Sequence, residues 1–177
     1  MNVNDKIFVP SDTYEAGPAH GRLSPFEPGT RTLPAGWRID PKFRPLHTDI
    51  VLEKDVAMTL RDGVTIYVDV FRPAGAEEVP AIIAWSPYGK SEGTAPSVSA
   101  LFDLIGLDNG ILSGLAKWEG PDPAYWCAQG YAICNPDARG IADSGGDGFV
   151  RDRQEGWDCH DLIEWLLRRT GAPARSR

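Results

Sequence analysis

The chain of 177 residues lacks a basic stretch. Its 18 Lys and Arg residues are scattered and are outnumbered by 25 Asp and Glu residues, which gives a net charge of −7. A nucleic-acid groove or a site for an anionic membrane surface needs a basic face. The composition therefore predicts neither a nucleic-acid partner nor a membrane partner, and it leaves small neutral or cationic substrates open.

Long apolar runs and cysteine pairs are also missing. No run approaches the roughly 20 apolar residues of a membrane helix, and the first residues lack the apolar centre of a signal peptide. Cys127, Cys134 and Cys159 cannot all pair, and they lack the spacing of metal ligands. We expect a cytoplasmic protein with free thiols, and the sequence indicates neither a metal nor another cofactor.

Residues 1–47 lack a periodic apolar pattern and hold seven prolines and four glycines. Such a composition disfavours helices and paired strands. We therefore expect an extended arm, anchored on a domain by its widely spaced aromatic residues or left as a disordered leader. Its histidines, His20 and His47, are expected to be solvated.

Regular structure is predicted to begin near Ile50 with an antiparallel hairpin. Apolar residues alternate with polar ones from Val56 to Leu60 and again from Val64 to Val70. The Asp62-Gly63 pair between the two runs tolerates the positive backbone angles of tight hairpin turns. The hairpin should therefore form the first two strands of a sheet.

The most informative stretch, VPAIIAWSPYGK, follows at Val79 to Lys90. Its apolar run does not alternate, which is typical of a parallel strand that is buried on both faces. Ligands of open α/β sheets bind outside the carboxyl ends of strands, which is where Tyr88 falls. The alternative is a simple β-turn in which Tyr88 only lies over the sheet edge.

The remaining pattern predicts a strand, helix, strand order with a parallel crossover. A long connection over residues 91–121 forms either the walls of a site or a surface helix pair. Asp122 and Gly130 bound a short helix, Tyr131 to Asn135 read as a second buried strand, and a glycine-rich loop leads into a helix from about Arg153 to Arg169. Residues 172–177 carry no pattern.

Four segments in this order resemble the cocaine esterase and X-Pro dipeptidyl-peptidase group of α/β-hydrolases, over roughly residues 50 to 167. They are LRDGVTIYVDVFRP, VPAIIAWSPYGK, QGYAICNPDARGIADSGG and EGWDCHDLIEWL. The resemblance implies an α/β fold, namely an incomplete α/β-hydrolase fold in which an antiparallel hairpin is followed by parallel strands with crossover helices. Residues 48–171 would form the first half of the catalytic domain.

The resemblance also implies chemistry for the matching residues. Tyr88 takes the position of the family's oxyanion-hole tyrosine, whose hydroxyl group donates a hydrogen bond to the developing oxyanion of an ester or peptide substrate. Asp137, Arg139 and Gly140 would support the site, Arg139 by an ion pair and Gly140 by an unusual backbone angle. Ala142 stands where many members of the family carry glycine.

The family's nucleophile elbow, Gly-x-Ser-x-Gly, is missing, together with the triad Asp and His that follow it. The chain therefore resembles an amino-terminal fragment of a serine hydrolase that is inactive alone. The alternative is a non-catalytic remnant or interaction module that retains half an active site. In the family's strand order, the strand at Val79 would have a bare outer edge, which favours self-association.

One rival arrangement would place a triad inside this chain. Ser144 lies in ADSGG, which differs from the elbow pattern at its first glycine, and Asp158 and His160 follow in hydrolase order. An elbow serine must lie on a sharp turn directly between strand and helix, whereas Ser144 follows Asn135 by nine residues. We therefore expect Ser144 not to be a nucleophile.

Overall fold

A computed structural model describes residues 25–76, 78–91, 102–148 and 151–170. The predicted tail at 172–177 and the first part of the predicted arm lie outside these residues. Within these residues the chain forms five strands, two α-helices, a short helical segment at residues 102–104 and one 3₁₀ turn at Asn109–Ile111. In chain order the strands and α-helices are β1 (Gly29–Leu33), β2 (Ile50–Thr59), β3 (Thr65–Pro73), β4 (Ala81–Ile83), α1 (Pro123–Ala128), β5 (Ala132–Asp137) and α2 (Arg153–Thr170).

The strands form one mixed sheet in the order β1-β2-β3-β5-β4. β1 pairs antiparallel with β2, β2 with β3 and β3 with β5, whereas β4 pairs parallel with β5. The chain between the two parallel strands contains α1, as a crossover requires. The sequence predictions of an antiparallel hairpin and of two parallel strands joined through a helix are confirmed.

The hairpin of β2 and β3 turns at Gly63, whose φ of +88° lies in the region that glycine adopts readily. The register of β2 shifts between Glu53 and Val56, which is a β-bulge. Asp55 lies in this bulge with a φ of +52°, and its backbone N–H donates to Oδ1 of Asp69 on β3 at 2.8 Å. The side chain of Asp69 thus replaces the ladder hydrogen bond that the bulge removes.

The expectation that residues 1–47 form no paired strand is wrong at Gly29–Leu33. This segment pairs with β2 from Gly29 opposite Lys54 to Leu33 opposite Ile50. Leu33, Phe43 and Leu46 are buried in the core. Edge pairing needs no alternating apolar pattern, and four of the five residues of β1 are exposed, so the pattern gave no signal.

β4 is shorter and more exposed than the predicted strand from Val79 to Trp85. Ala81 is exposed, and Ile82 and Ile83 are half-buried. The expectation that this strand is covered on both faces is therefore not met within the described residues, because β4 is the last strand of the sheet and pairs on one side with β5.

The helices cover opposite faces of the sheet. Neighbouring residues of one strand point to opposite faces, and accordingly Phe71 and Ile133 pack with Cys127 of α1, while Val70 and Cys134 pack with Leu162 of α2. The Asp122 cap of α1 is confirmed, since its side chain accepts from the backbone N–H of Ala124. In the predicted connection over residues 91–121, residues 102–104 are helical, and residues 112–118 form no helix. None of the described helices has the length and apolarity to cross a membrane.

Candidate active site

Tyr88 lies in the turn that follows β4, at the carboxyl end of the two parallel strands. Its side chain is exposed. Its backbone N–H donates to Oγ of Ser86 at 3.4 Å, and none of the described residues hydrogen-bonds its hydroxyl group. The phenol is thus available to an incoming group at the sheet end where α/β enzymes bind ligands.

The chain before Tyr88 is fixed at two points. Lys117, which is 2% exposed, donates from Nζ to the carbonyl oxygens of Ala84 at 3.0 Å and Pro136 at 3.2 Å. These carbonyls lie at the ends of the two parallel strands, so one ammonium group joins them. The indole N–H of Trp85 donates to Glu155 of α2 at 3.1 Å.

The chain after Tyr88 is fixed by a buried set of charges, here called the Lys90 cluster: Lys90, Asp55, Asp69 and Asp137. The Nζ atom of Lys90 lies 2.8 Å from Oδ2 of Asp137 and 2.7 Å from Oδ1 of Asp55. Oδ1 of Asp69 is more distant, at 4.0 Å. The backbone N–H of Lys90 also donates to Oδ1 of Asp137 at 2.7 Å. Both oxygens of the Asp137 carboxylate therefore bind the same residue.

The environment of the Lys90 cluster shifts the pKa values of its members in different directions. Burial raises the pKa of Asp69 to about 6, and the charge of Lys90 only partly opposes this effect. Burial also acts to raise the pKa of Asp55, but hydrogen bonds from Lys90, Glu27 and Lys54 outweigh it and lower the pKa below its ordinary value. Burial acts to lower the pKa of Lys90, yet the surrounding carboxylates raise it. The ammonium group therefore stays charged.

Arg139 and Gly140 fix the loop that follows β5. Arg139, predicted to brace the loops through an ion pair, binds the Asp158 carboxylate with two nitrogens at 2.8 and 2.9 Å and contacts Asp62 at 2.8 Å. The hydrogen bond to Asp158 raises the pKa of Arg139 above its ordinary value. Gly140 has a φ of +72°, and a Cβ there would lie 2.4 Å from the backbone nitrogen of Gly148. Any larger residue would therefore displace the loop.

The structure does not bring Ser144, Asp158 and His160 together as a triad. The Ser144 hydroxyl group donates to the carbonyl of Asp137 at 2.8 Å and accepts from the backbone N–H of Tyr67 at 3.0 Å. The Asp158 carboxylate binds Arg139 and Gln154. The imidazole of His160 is 62% exposed and lies beside Arg61. Each group is thus engaged elsewhere.

The described residues offer no alternative catalytic group of the metal or thiol type. No group of three or more His, Cys, Asp or Glu side chains among them could hold a metal ion. The three cysteines are unpaired. Burial raises the pKa of Cys127 to about 12 and raises those of Cys134 and Cys159 as well, so these thiols are poor nucleophiles.

Sequence reasoning missed Lys90, Lys117, Asp55 and Asp69. Asp69 stands between Val68 and Val70, where the alternating pattern indicated a solvent-facing residue, yet it is 5% exposed. A charged residue inside a strand that neighbours the site was the available signal. Lys117 gave none, because nothing in the connection over residues 91–121 distinguished it as a candidate.

Several known proteins resemble this chain in sequence or in fold. The sequence model described as X-Pro dipeptidyl-peptidase (S15 family) matches residues 62–174. Cocaine esterase from Rhodococcus sp. (strain MB1 Bresler) is 27% identical over 113 residues, which are 64% of this chain and 16% of that protein. The crystal structure of a CocE/NonD family hydrolase from Staphylococcus aureus shares the fold with a TM-score of 0.67 at 22% identity, over 90% of this chain and 27% of that chain.

A shorter match, 51% identical over 47 residues, links 27% of this chain to 9% of a protein named L-tyrosine:2-oxoglutarate aminotransferase from Aspergillus ustus. The chain thus spans a small part of each curated relative. The solved structures confirm that its mixed sheet is part of an α/β-hydrolase fold. The family match covers more than half of the chain. The chain belongs to the X-Pro dipeptidyl-peptidase (S15) family.

Proposed function

We propose that this chain supplies the first half of the catalytic domain of a serine hydrolase that cleaves ester or amide bonds through an acyl-enzyme. Tyr88 is its oxyanion-hole donor, while Asp137, Arg139 and Gly140 hold the adjacent loop. The nucleophile, acid and base come from outside residues 1–177. The substrate is a small ester or an X-Pro peptide.

The observation that carries this proposal is the state of Tyr88. Acyl transfer places negative charge on a carbonyl oxygen, and a donor that is already oriented stabilises that charge without reorganisation. The hydroxyl group of Tyr88 is exposed and binds none of the described residues, while the chain on both sides of it is held by buried lysines. A residue serving only the turn would not need such anchoring.

The second candidate is a non-catalytic remnant or interaction module that retains half an active site. It is favoured by the engagement of Ser144, Asp158 and His160 with other partners. The two candidates differ in whether the native protein contains a catalytic serine. We further propose a cytoplasmic location, which the unpaired cysteines support.

The test begins with the protein from its natural source, isolated with an antibody to this chain. Its mass is measured, and the residue that takes up a fluorophosphonate probe is mapped by mass spectrometry. We expect the 177-residue chain of 19.3 kDa alone to take up no probe. In the native protein, the labelled serine should lie outside this sequence. Labelling at Ser144 would contradict the proposal, and an unlabelled native protein of 19.3 kDa would favour the remnant.

The role of Tyr88 is tested in the active protein by Tyr88→Phe. Removal of one oxyanion donor should lower kcat for a p-nitrophenyl ester by about 100- to 1,000-fold. Tyr125→Phe is the matched control, because Tyr125 is also exposed but lies in α1. Full activity of Tyr88→Phe would remove Tyr88 from the site.

A further inference from the structure

Lys90 binds the end of β5 through both its backbone and its side chain. Its backbone N–H and its Nζ atom each take one oxygen of the Asp137 carboxylate, at 2.7 and 2.8 Å. Two hydrogen bonds from one residue to one carboxylate fix both its position and its direction. Lys90 is 8% exposed and Asp137 is 1% exposed, so water competes little for these bonds.

The second contact of Lys90 ties the same ammonium group to the hairpin. Oδ1 of Asp55 lies 2.7 Å from Nζ, and Asp55 is itself held in the bulge of β2 by its backbone hydrogen bond to Asp69. The residue two positions after Tyr88 is therefore connected to β2, β3 and β5 at once. A displacement of this part of the turn would leave buried carboxylates without their cation, which is costly.

We propose that Lys90 is a positioning residue for Tyr88, holding the turn so that the Tyr88 hydroxyl group is aimed at the oxyanion before substrate arrives. This inference rests on the proposed function of Tyr88. Lys117 holds the turn at Ala84, and Lys90 holds it at the other end. The Tyr88 hydroxyl group between them has no hydrogen-bond partner among the described residues, so its position depends on how the turn is held.

Lys54 provides a matched control for Lys90. It is also buried and also pairs with Asp55, through Oδ2 at 3.0 Å, but it binds the carbonyl of Pro25 rather than the turn. Replacement of either lysine by methionine removes one cation from the same carboxylate. Only the Lys90 change removes contacts with the segment that carries Tyr88.

The experiment places 3-fluorotyrosine at position 88 of the full chain and records its ¹⁹F NMR signal. In Lys90→Met, we expect the signal to move more than halfway towards that of the unfolded chain and to sharpen. In Lys54→Met, it should stay at the wild-type position. A second label at Tyr67, which packs on Phe26 with ring centroids 4.8 Å apart, reports on β3 and should not move. An unchanged signal at position 88 in Lys90→Met would overturn the proposal.

If Lys90→Met does not fold, as the Tyr67 signal would show, Asp137→Asn replaces it. Asparagine keeps an oxygen for the backbone N–H of Lys90 but loses the charge that binds Nζ. The signal at position 88 should then shift in the same direction by a smaller amount while the Tyr67 signal stays. No shift at position 88 would again overturn the proposal.

Kinetics in the active protein separate this inference from the proposed function. If both hold, Lys90→Met lowers kcat at unchanged KM, and adding it to Tyr88→Phe causes no further loss. If Tyr88→Phe leaves kcat intact, the oxyanion role fails, while the ¹⁹F result still decides whether Lys90 orders the turn. Loss of kcat in Lys90→Met that adds fully to the loss in Tyr88→Phe would refute positioning through Tyr88.

Discussion

The carboxyl ends of the parallel strands β4 and β5 differ from the outer edge of β4 in charge and in burial. At the carboxyl ends of β4 and β5, charged groups are buried in pairs, including Lys90 with Asp137 and Arg139 with Asp158. Along the outer edge of β4, the residues are apolar and partly exposed, and no described strand pairs with them. The first region contains its own partners. The second has the features of a surface that another strand would cover.

The difference indicates which part of the site this chain specifies by itself. Buried ions are tolerated only when paired, so the residues around Tyr88 and Arg139 must find their partners within the chain. An edge strand carries no such requirement, because water can satisfy its backbone groups. The carboxyl ends of β4 and β5, here called the charged end, thus supply their own ion-pair partners around Tyr88, the proposed donor. The outer edge of β4 leaves its backbone groups to water or to another strand.

The largest expected effect on stability tests whether the buried charges at the charged end depend on one another. Arg139→Met leaves Asp158, which is 1% exposed, with Gln154 as its remaining described side-chain partner. Breaking a buried ion pair from one side should cost about 3 to 5 kcal/mol of unfolding free energy. Urea unfolding followed by far-UV circular dichroism measures this loss.

Arg61→Met is the control for Arg139→Met. Arg61 binds Asp161 with comparable geometry, at 2.6 Å, but it is 47% exposed. Exposed pairs contribute little, so the loss should be much smaller. Equal losses in the two variants would show that burial does not distinguish the charged end from the surface.

The next effect is a pH dependence caused by Asp69. Its pKa of about 6 in the folded chain exceeds the ordinary value of 3.8, because its burial disfavours the ionised form. Between these values, the folded chain holds the proton and the unfolded chain does not. The contribution of Asp69 to stability is therefore complete below about pH 4 and is lost as the pH rises through 6. The loss should reach about 2 to 3 kcal/mol, at roughly 1.4 kcal/mol per pKa unit.

Asp69→Asn should remove this pH dependence, so wild type should lose stability relative to the variant between pH 4 and pH 7. Thermal or urea unfolding at several pH values gives the difference. Asp161→Asn is the control, because the hydrogen bond from Arg61 lowers the pKa of Asp161 and its effect lies below pH 4. A constant difference for Asp69→Asn would show that Asp69 is ionised in the folded chain throughout this range.

The sequence predicted local features well because local chemistry determined them. The Asp62-Gly63 turn, the Asp122 cap and the long helix after Asp152 each carry a short-range signal, and each forms. β1 carried no such signal. It exists because β2 offers an unpaired edge, which is a tertiary condition. The same reason explains why the predicted burial of β4 was wrong for the described residues.

The position of Tyr88, the proposed donor, could be predicted from the sequence, whereas the residues that support it could not. Tyr88 could be located because it follows a predicted strand end and matches the position of the family's tyrosine. The Lys90 cluster was missed, since it combines residues 35 positions apart on β2 and after β4, and the alternating pattern of β3 outweighed the signal of a charged residue, Asp69, inside a strand. The bulge at Asp55 joins β2 to Asp69, and Lys90 joins Asp55 to Asp137, so these contacts depend on the tertiary structure.

The smallest effect concerns the open edge of β4. The backbone N–H of Ala84 and the carbonyl of Pro80 bond to β5. Alternate residues of a strand face opposite neighbours, so the backbone groups of Ala81 and Ile83 point outward. We expect the chain to self-associate through this edge as its concentration rises. Ala81→Lys should weaken the association by about tenfold, because a charge on an edge strand opposes pairing.

Thr30→Lys places the same charge on the opposite edge of the sheet, where β1 already carries Arg31 between two threonines. Sedimentation velocity over a range of concentrations should show association equal to wild type for Thr30→Lys and weaker association for Ala81→Lys. A wild-type chain that stays monomeric, or equal effects at both edges, would show that β4 needs no partner strand. The outer edge of β4 would then differ from the charged end in composition alone, because neither region would need a partner from another chain.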